Sequence, residues 1–141
     1  MIRFLVAAST FALAIGLAPA SAEMLKYKAD LTGPGEVPPT DSTGTGSVEA
    51  TYDAATKTLS WTGSYSGLTG LETAAHFHGP AKAGANAPPE VPVDAKASPF
   101  KGTAKLTDAQ AKDFADGMIY FNIHTAKNPN GEIRGQVMAA K

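Results

Sequence analysis

Met118-Ile119-Tyr120-Phe121-Asn122-Ile123-His124 sets Ile119, Phe121 and Ile123 against Tyr120, Asn122 and His124. Strict alternation of bulky apolar and polar side chains marks a β-strand with one buried face, because successive side chains leave opposite faces. The turn sequence Lys127-Asn128-Pro129-Asn130-Gly131 follows, and its Asn-Gly pair suits the positive φ of a hairpin. Beyond it Ile133, Gly135 and Val137 alternate with Glu132, Arg134 and Gln136. The two runs predict a C-terminal hairpin with the isoleucines and Phe121 in the core. Tyr120, Asn122, His124, Glu132 and Arg134 are then expected on the outward face.

The same period recurs upstream. Leu25 to Leu31 places apolar residues at odd positions and charged ones at even positions. Ser47 to Tyr52 and Thr58 to Tyr65 alternate too, joined by the turn Asp53-Ala54-Ala55-Thr56, so the first three strands read as an antiparallel meander. Tyr27, Tyr52 and Trp61 fall in core phase. Gly33 to Thr43 and Gly79 to Pro92 are rich in Gly and Pro and read as loops. Phe100 to Leu106 is a further strand. Thr107-Asp108-Ala109-Gln110 has the form of a capping box, opening one short helix over 107–115 with Gly117 as its stop. Many short strands with a single helix predict an all-β fold, an antiparallel β-sandwich or a flattened Greek-key barrel.

Residues 1–22 have the form of a secretory signal peptide. Arg3 precedes an apolar run from Phe4 to Ala18, and Ala20-Ser21-Ala22 supplies small residues for cleavage after Ala22. That leaves 23–141 as a single domain, released to the periplasm or secreted. No later apolar stretch reaches the ~20 residues of a membrane span. Loss of Arg3 with the leader leaves 11 basic against 13 acidic side chains, a formal charge of −2. Nucleic-acid binding needs a basic stripe or patch, which this balance does not provide. With no cysteine in the chain, thiolate metal sites, thiol catalysis and disulfides are excluded.

The chain has three histidines, His76, His78 and His124. His76 and His78 flank Phe77 on a strand, so they share a face, and Ala75 and Phe77 take the core phase. A pairing of this strand with the one ending at His124 brings three imidazoles onto one outward patch, with the loop Gly79 to Pro92 available to roof it. Neutral imidazole suits copper and zinc; an all-nitrogen site with open positions favours Cu(II), and a three-histidine zinc site is the alternative. Asn122 and Tyr120 would stand behind the ligands, Asn122 orienting an imidazole, and Arg134 would steer or hold an anion. The bland alternatives are histidines that only hydrogen-bond across the sheet, and an Arg134 paired with Glu132 on the surface. No phosphate-binding glycine loop, nucleophile elbow or carboxylate pair is present, so no catalytic residue is assigned.

Four segments resemble the CHRD domain, the module named after chordin and found alone in exported bacterial proteins. They are Leu31-Thr32-Gly33-Pro34-Gly35-Glu36-Val37-Pro38-Pro39, Tyr65-Ser66-Gly67-Leu68-Thr69-Gly70, Ala74-Ala75-His76-Phe77-His78-Gly79-Pro80-Ala81, and Gly117 through Val137. The resemblance implies a β-sandwich and brings no agreed activity with it. A weaker likeness, confined to the site, is to copper/zinc superoxide dismutase, onto which His76, His78, His124 and Arg134 can be read. There is no fourth histidine, bridging zinc loop or disulfide to complete that pattern, so dismutation is in doubt even with copper bound. Three functions follow as expectations: a copper-binding exported domain, a non-catalytic binding or scaffold module contacting another exported protein, and a redox enzyme acting on a small oxidant. The sequence leaves the oligomeric state open.

Overall fold

A computed structural model describes residues 16–17 and 23–141; the expected signal peptide lies mostly outside the described residues. The described chain is a single antiparallel sheet whose strands are β1 (Met24–Thr32), β2 (Thr45–Asp53), β3 (Thr58–Ser66), β4 (Glu72–His78), β5 (Pro89–Val93), β6 (Phe100–Lys105), β7 (Tyr120–Thr125), β8 (Ile133–Gln136) and β9 (Met138–Ala139). Their spatial order is β5-β4-β7-β8-β1-β2-β3-β6, with the short β9 beside β1. Hairpins β1–β2 and β2–β3 form the expected meander, and β7 pairs with β8 as the Asn-Gly turn requires.

The sheet curls onto itself. Trp61 on β3 and Phe77 on β4 lie far apart in strand order, yet their rings meet with centroids 5.5 Å apart. Phe100 on β6 stacks on Phe121 of β7 at 5.9 Å. These contacts cross a core in which Leu59, Phe77, Ile119, Phe121, Ile123 and Ile133 have no exposed surface. The odd phase of β7 therefore faces inward as its alternation predicts.

One end is closed by α1 (Asp108–Ala115). Thr107 accepts from the Gln110 amide and the Gln110 side chain accepts from the Thr107 amide, the reciprocal pair expected of a capping box. Phe114 is the residue α1 buries, against Tyr27 and Phe77 at 5.5 and 5.4 Å.

Two expectations are corrected. The segment Gly79 to Pro92 is not all loop: Pro89–Val93 is a strand on the edge of the sheet, where a proline's missing N–H can face away from the ladder. The outward-phase residues of β7 and β8 are interior rather than on the surface, under the loop available to roof them. Loop 79–88 folds back over them, and Arg134 is left 2% exposed, with Tyr120 and Asn122 equally buried. Glu132 is fully buried as well. Alternation divides a strand into two faces, but a loop packed on the second face makes both of them interior.

Candidate metal centre

The register of β4 on β7 builds the centre. His76 faces Asn122, His78 faces Tyr120, and His124 faces Ala74. Ala74 is small, which leaves the ring of His124 room to lean diagonally toward His76. The nearest ring nitrogens, His76 Nδ1 and His124 Nε2, are 3.4 Å apart. One nitrogen from each of the three histidines lies within 4.8 Å of the other two. Two imidazole nitrogens bound at about 2.0–2.1 Å to one tetrahedral ion are about 3.3–3.4 Å apart, so the His76–His124 pair already has that spacing.

Backbone carbonyls fix two of the rings. His124 Nδ1 is 2.9 Å from the Pro129 carbonyl, and His78 Nδ1 is 2.9 Å from the Ala87 carbonyl. A carbonyl only accepts, so in both rings Nδ1 carries the hydrogen and Nε2 keeps its lone pair. His78 Nε2 is buried and has no hydrogen-bond partner. Burial holds His76 and His78 below the usual imidazole pKa. The neighbouring His124 lowers His76 further; for His78 the Ala87 carbonyl partly opposes the effect, and His76 and His124 add to it. Both rings are therefore neutral and free to ligate at pH 7.

Behind His78 stands a stack. Tyr120 lies parallel to the His78 ring at 4.8 Å with 7° between planes, and the Arg134 guanidinium sits 3.4 Å over the other part of this stack, on the Tyr120 ring. The terminal nitrogens of Arg134 are occupied by the loop: Nη1 donates to Asn86 Oδ1 at 2.9 Å, and Nη2 to the Ala85 carbonyl at 2.7 Å. Arg134 neither pairs with Glu132 nor offers these donors to an anion at the histidines. Asn122 is close to both His78 and Glu36 and favours their charged forms, while its own Oδ1 has no partner.

Two glutamates also belong to this region, Glu36 with no expected role and Glu132 expected on the surface beside Arg134. Glu36, 4% exposed, comes from the loop after β1 and is pushed up to about 7 by burial, with Arg134 and Asn122 opposing. Its Oε1 has no partner and sits against Gly131, where a Cβ would approach it to 2.5 Å. Glu36 lies inside a quoted family segment, but nothing local in Gly33-Pro34-Gly35-Glu36 shows that its carboxyl ends up under the β7–β8 turn. Glu132 accepts from Ser42, Thr125, Asn128 and both the amide and hydroxyl of Thr69, at 2.7–3.2 Å.

The open side of the centre is a shallow groove of about 360 Å³ that runs past His76 between Glu72, Asp94 and Lys96. A larger cleft of about 490 Å³ lies beside the centre, between Glu36–Asp41 and Lys127–Gly131, and contains no histidine. The ring nitrogens, not the larger hollow, mark where the chemistry converges.

Residues 27–137, which hold all three histidines and their carbonyl anchors, match the family model of the CHRD domain. The chain belongs to the CHRD domain family. No curated protein and no solved structure matches the chain. Within this CHRD domain the matched span starts at Tyr27 on β1 and ends at Val137 after β8, so it takes in the whole core as well as the centre. Among the described residues no helix is long and apolar enough to cross a membrane.

Proposed function

We propose that this CHRD domain is an exported protein that binds a transition-metal ion, copper first and zinc as the alternative, through His76, His78 and His124. The observation that carries the reading is the tautomer arrangement. Two rings have Nδ1–H tied to backbone carbonyls, which leaves Nε2 as their lone-pair nitrogen, and one ring nitrogen from every histidine lies within 4.8 Å of the others. Metal-binding histidines characteristically donate their other ring N–H to such an acceptor, which fixes ring orientation. An all-imidazole set leaves the ion its full charge and suits Cu(II) or Zn(II) over hard cations.

Titrating Cu(II) and Zn(II) into the metal-free purified protein tests this. The wild type is expected to take one equivalent, and His76→Ala/His124→Ala to lose it; equal binding by the double variant removes the site. Each imidazole must be neutral to ligate, so affinity falls with pH. The fall is expected as pH drops through the region near 6.5. Export is tested separately, by sequencing the N-terminus of the cell-envelope or culture-medium product for a start at Glu23.

A dismutase-like activity is the weaker reading here, since the two terminal nitrogens of Arg134 are already held by the loop.

A further inference from the structure

The polar contacts of Arg134 run to the loop that covers His78. The loop over His78 includes Ala83-Gly84-Ala85, which has no large side chain to anchor it, and Gly84 has nothing packed where a Cβ would be. Polar contacts hold this stretch down instead. Arg134 grips the Ala85 carbonyl at 2.7 Å and Asn86 Oδ1 at 2.9 Å, and a planar guanidinium holds two such acceptors in a fixed relation. Asn86 passes the restraint on, donating from Nδ2 to the Val37 carbonyl at 2.9 Å. The next residue is Ala87, whose carbonyl accepts from His78 Nδ1 at 2.9 Å and from the Tyr120 hydroxyl at 3.0 Å. Tyr120 itself lies between Arg134 and His78.

We infer that Arg134 and Asn86 are positioning residues of the histidine centre: by pinning the loop at Ala85 and Asn86 they hold the Ala87 carbonyl on His78 Nδ1. That contact decides which nitrogen of His78 carries the hydrogen and which keeps its lone pair. The consequence for metal rests on the proposed function; the consequence for the tautomer does not. Removing the clamp loosens the hold on the Ala87 carbonyl, and His78 then lacks a fixed acceptor to keep the hydrogen on Nδ1 and Nε2 bare. His76 and His124 keep their own geometry, because His124 is anchored separately on Pro129. Partners behind the ligands typically change metal affinity about 10–100-fold when removed, which sets the size of the effect.

The experiment uses Asn86→Ala, Arg134→Met and Arg134→Lys, each checked for folding by circular dichroism. In the metal-free protein, ¹⁵N NMR of the imidazoles is expected to show His78 as a single Nδ1–H tautomer in the wild type. A mixed or exchanging ring is expected in Asn86→Ala and Arg134→Met. Arg134→Lys keeps the charge but not the fork, and is expected to fall with the Met variant. With Cu(II) added, pulsed EPR is expected to count three imidazoles in the wild type and two in the variants, with affinity down about 10–100-fold. A variant that only loosened the fold would not single out His78. If Arg134→Met does not fold, Asn86→Ala decides alone. An unchanged His78 tautomer in a folded Asn86→Ala protein overturns the inference. A wild type that takes no Cu(II) defeats the metal reading, and the NMR comparison still decides the positioning role.

Discussion

Two buried polar groups flank the β7–β8 turn, and they are treated in opposite ways. On one side Glu132 is enclosed by five donors from Ser42, Thr69, Thr125 and Asn128, and its backbone carbonyl accepts from Thr40 as well. Burial by itself raises this carboxyl; the donors of Thr69, then Thr125 and Ser42, outweigh burial and hold it at about 2. On the other side Glu36 Oε1, Asn122 Oδ1 and His78 Nε2 are buried without partners. There burial prevails, with Glu36 raised to about 7 and His78 lowered. Buried polar atoms are nearly always satisfied in folded proteins, and each exception calls for an explanation. The satisfied cage ties the loops at Ser42 and Thr69 to the turn. The unsatisfied group lies beside the converging ring nitrogens, where an unused lone pair is what a ligand requires.

Replacing Glu132 attacks the satisfied side and should have the largest effect. Glu132→Gln substitutes an amide, which places donors against donors, for a carboxylate with five of them. Hydrogen bonds to a charged group contribute about 1.5–3 kcal/mol each, and buried donors left bare add a penalty, so the loss should be about 3 kcal/mol or more. Urea unfolding at pH 7 measures it, and a loss under about 1 kcal/mol would mean that the cage is not structural. The pH dependence has a definite sign. A carboxyl held at about 2, against the usual 4.5, stabilises the fold above 4.5, and that contribution is lost as pH falls from 4.5 toward 2. The Gln variant should lack that acid-induced loss.

Metal probes the other side. An ion that binds only the folded chain, present at about 100 times its dissociation constant, stabilises by about 2.7 kcal/mol. Cu(II) should therefore raise the thermal midpoint of the wild type and of Glu132→Gln alike, and a chelator should reverse both shifts. A metal-induced shift that survives His76→Ala/His124→Ala would place the ion elsewhere and end the contrast between the two sides.

What could be read in the sequence differs between these regions for a physical reason. Strand phase and the capping box are local: Ile119, Phe121 and Ile123 declare themselves by a period of two, and Thr107 with Gln110 by a spacing of three. The grouping of His76, His78 and His124 needed one strand pairing beyond that, β4 on β7, which alternation allows but does not specify. The loop that roofs the centre could be named, but not the contacts that hold it. Tyr120 reaches Ala87 across 33 positions and Arg134 reaches Asn86 across 48, and no periodicity encodes such contacts. Glu132 misled for the same reason. In strand phase a charged residue reads as outward, and its donors Ser42 and Thr69 lie 90 and 63 positions away.

Glu36 offers the smallest effect and the finest test of the comparison. Its carboxyl is raised from the usual 4.5 to about 7, so the folded chain keeps a proton that the unfolded chain has already released. Stability contributed by this group is therefore intact below 4.5, declines as pH rises from 4.5 to about 7, and stays lost above that, the reverse of the Glu132 case. Glu36→Gln keeps the shape and removes the titration. Relative to wild type, the variant should gain stability in urea unfolding between pH 4.5 and pH 8. Taking the difference between the two proteins cancels the opposite slope of His76 and His78, whose lowered values cost stability as pH falls below 6.5. Parallel profiles would mean that Glu36 is ionised in the folded chain at neutral pH, held by Arg134 and Asn122 despite its burial. The two sides of the turn would then both carry stabilised carboxylates, and the lone pair on His78 would be the feature that still sets them apart.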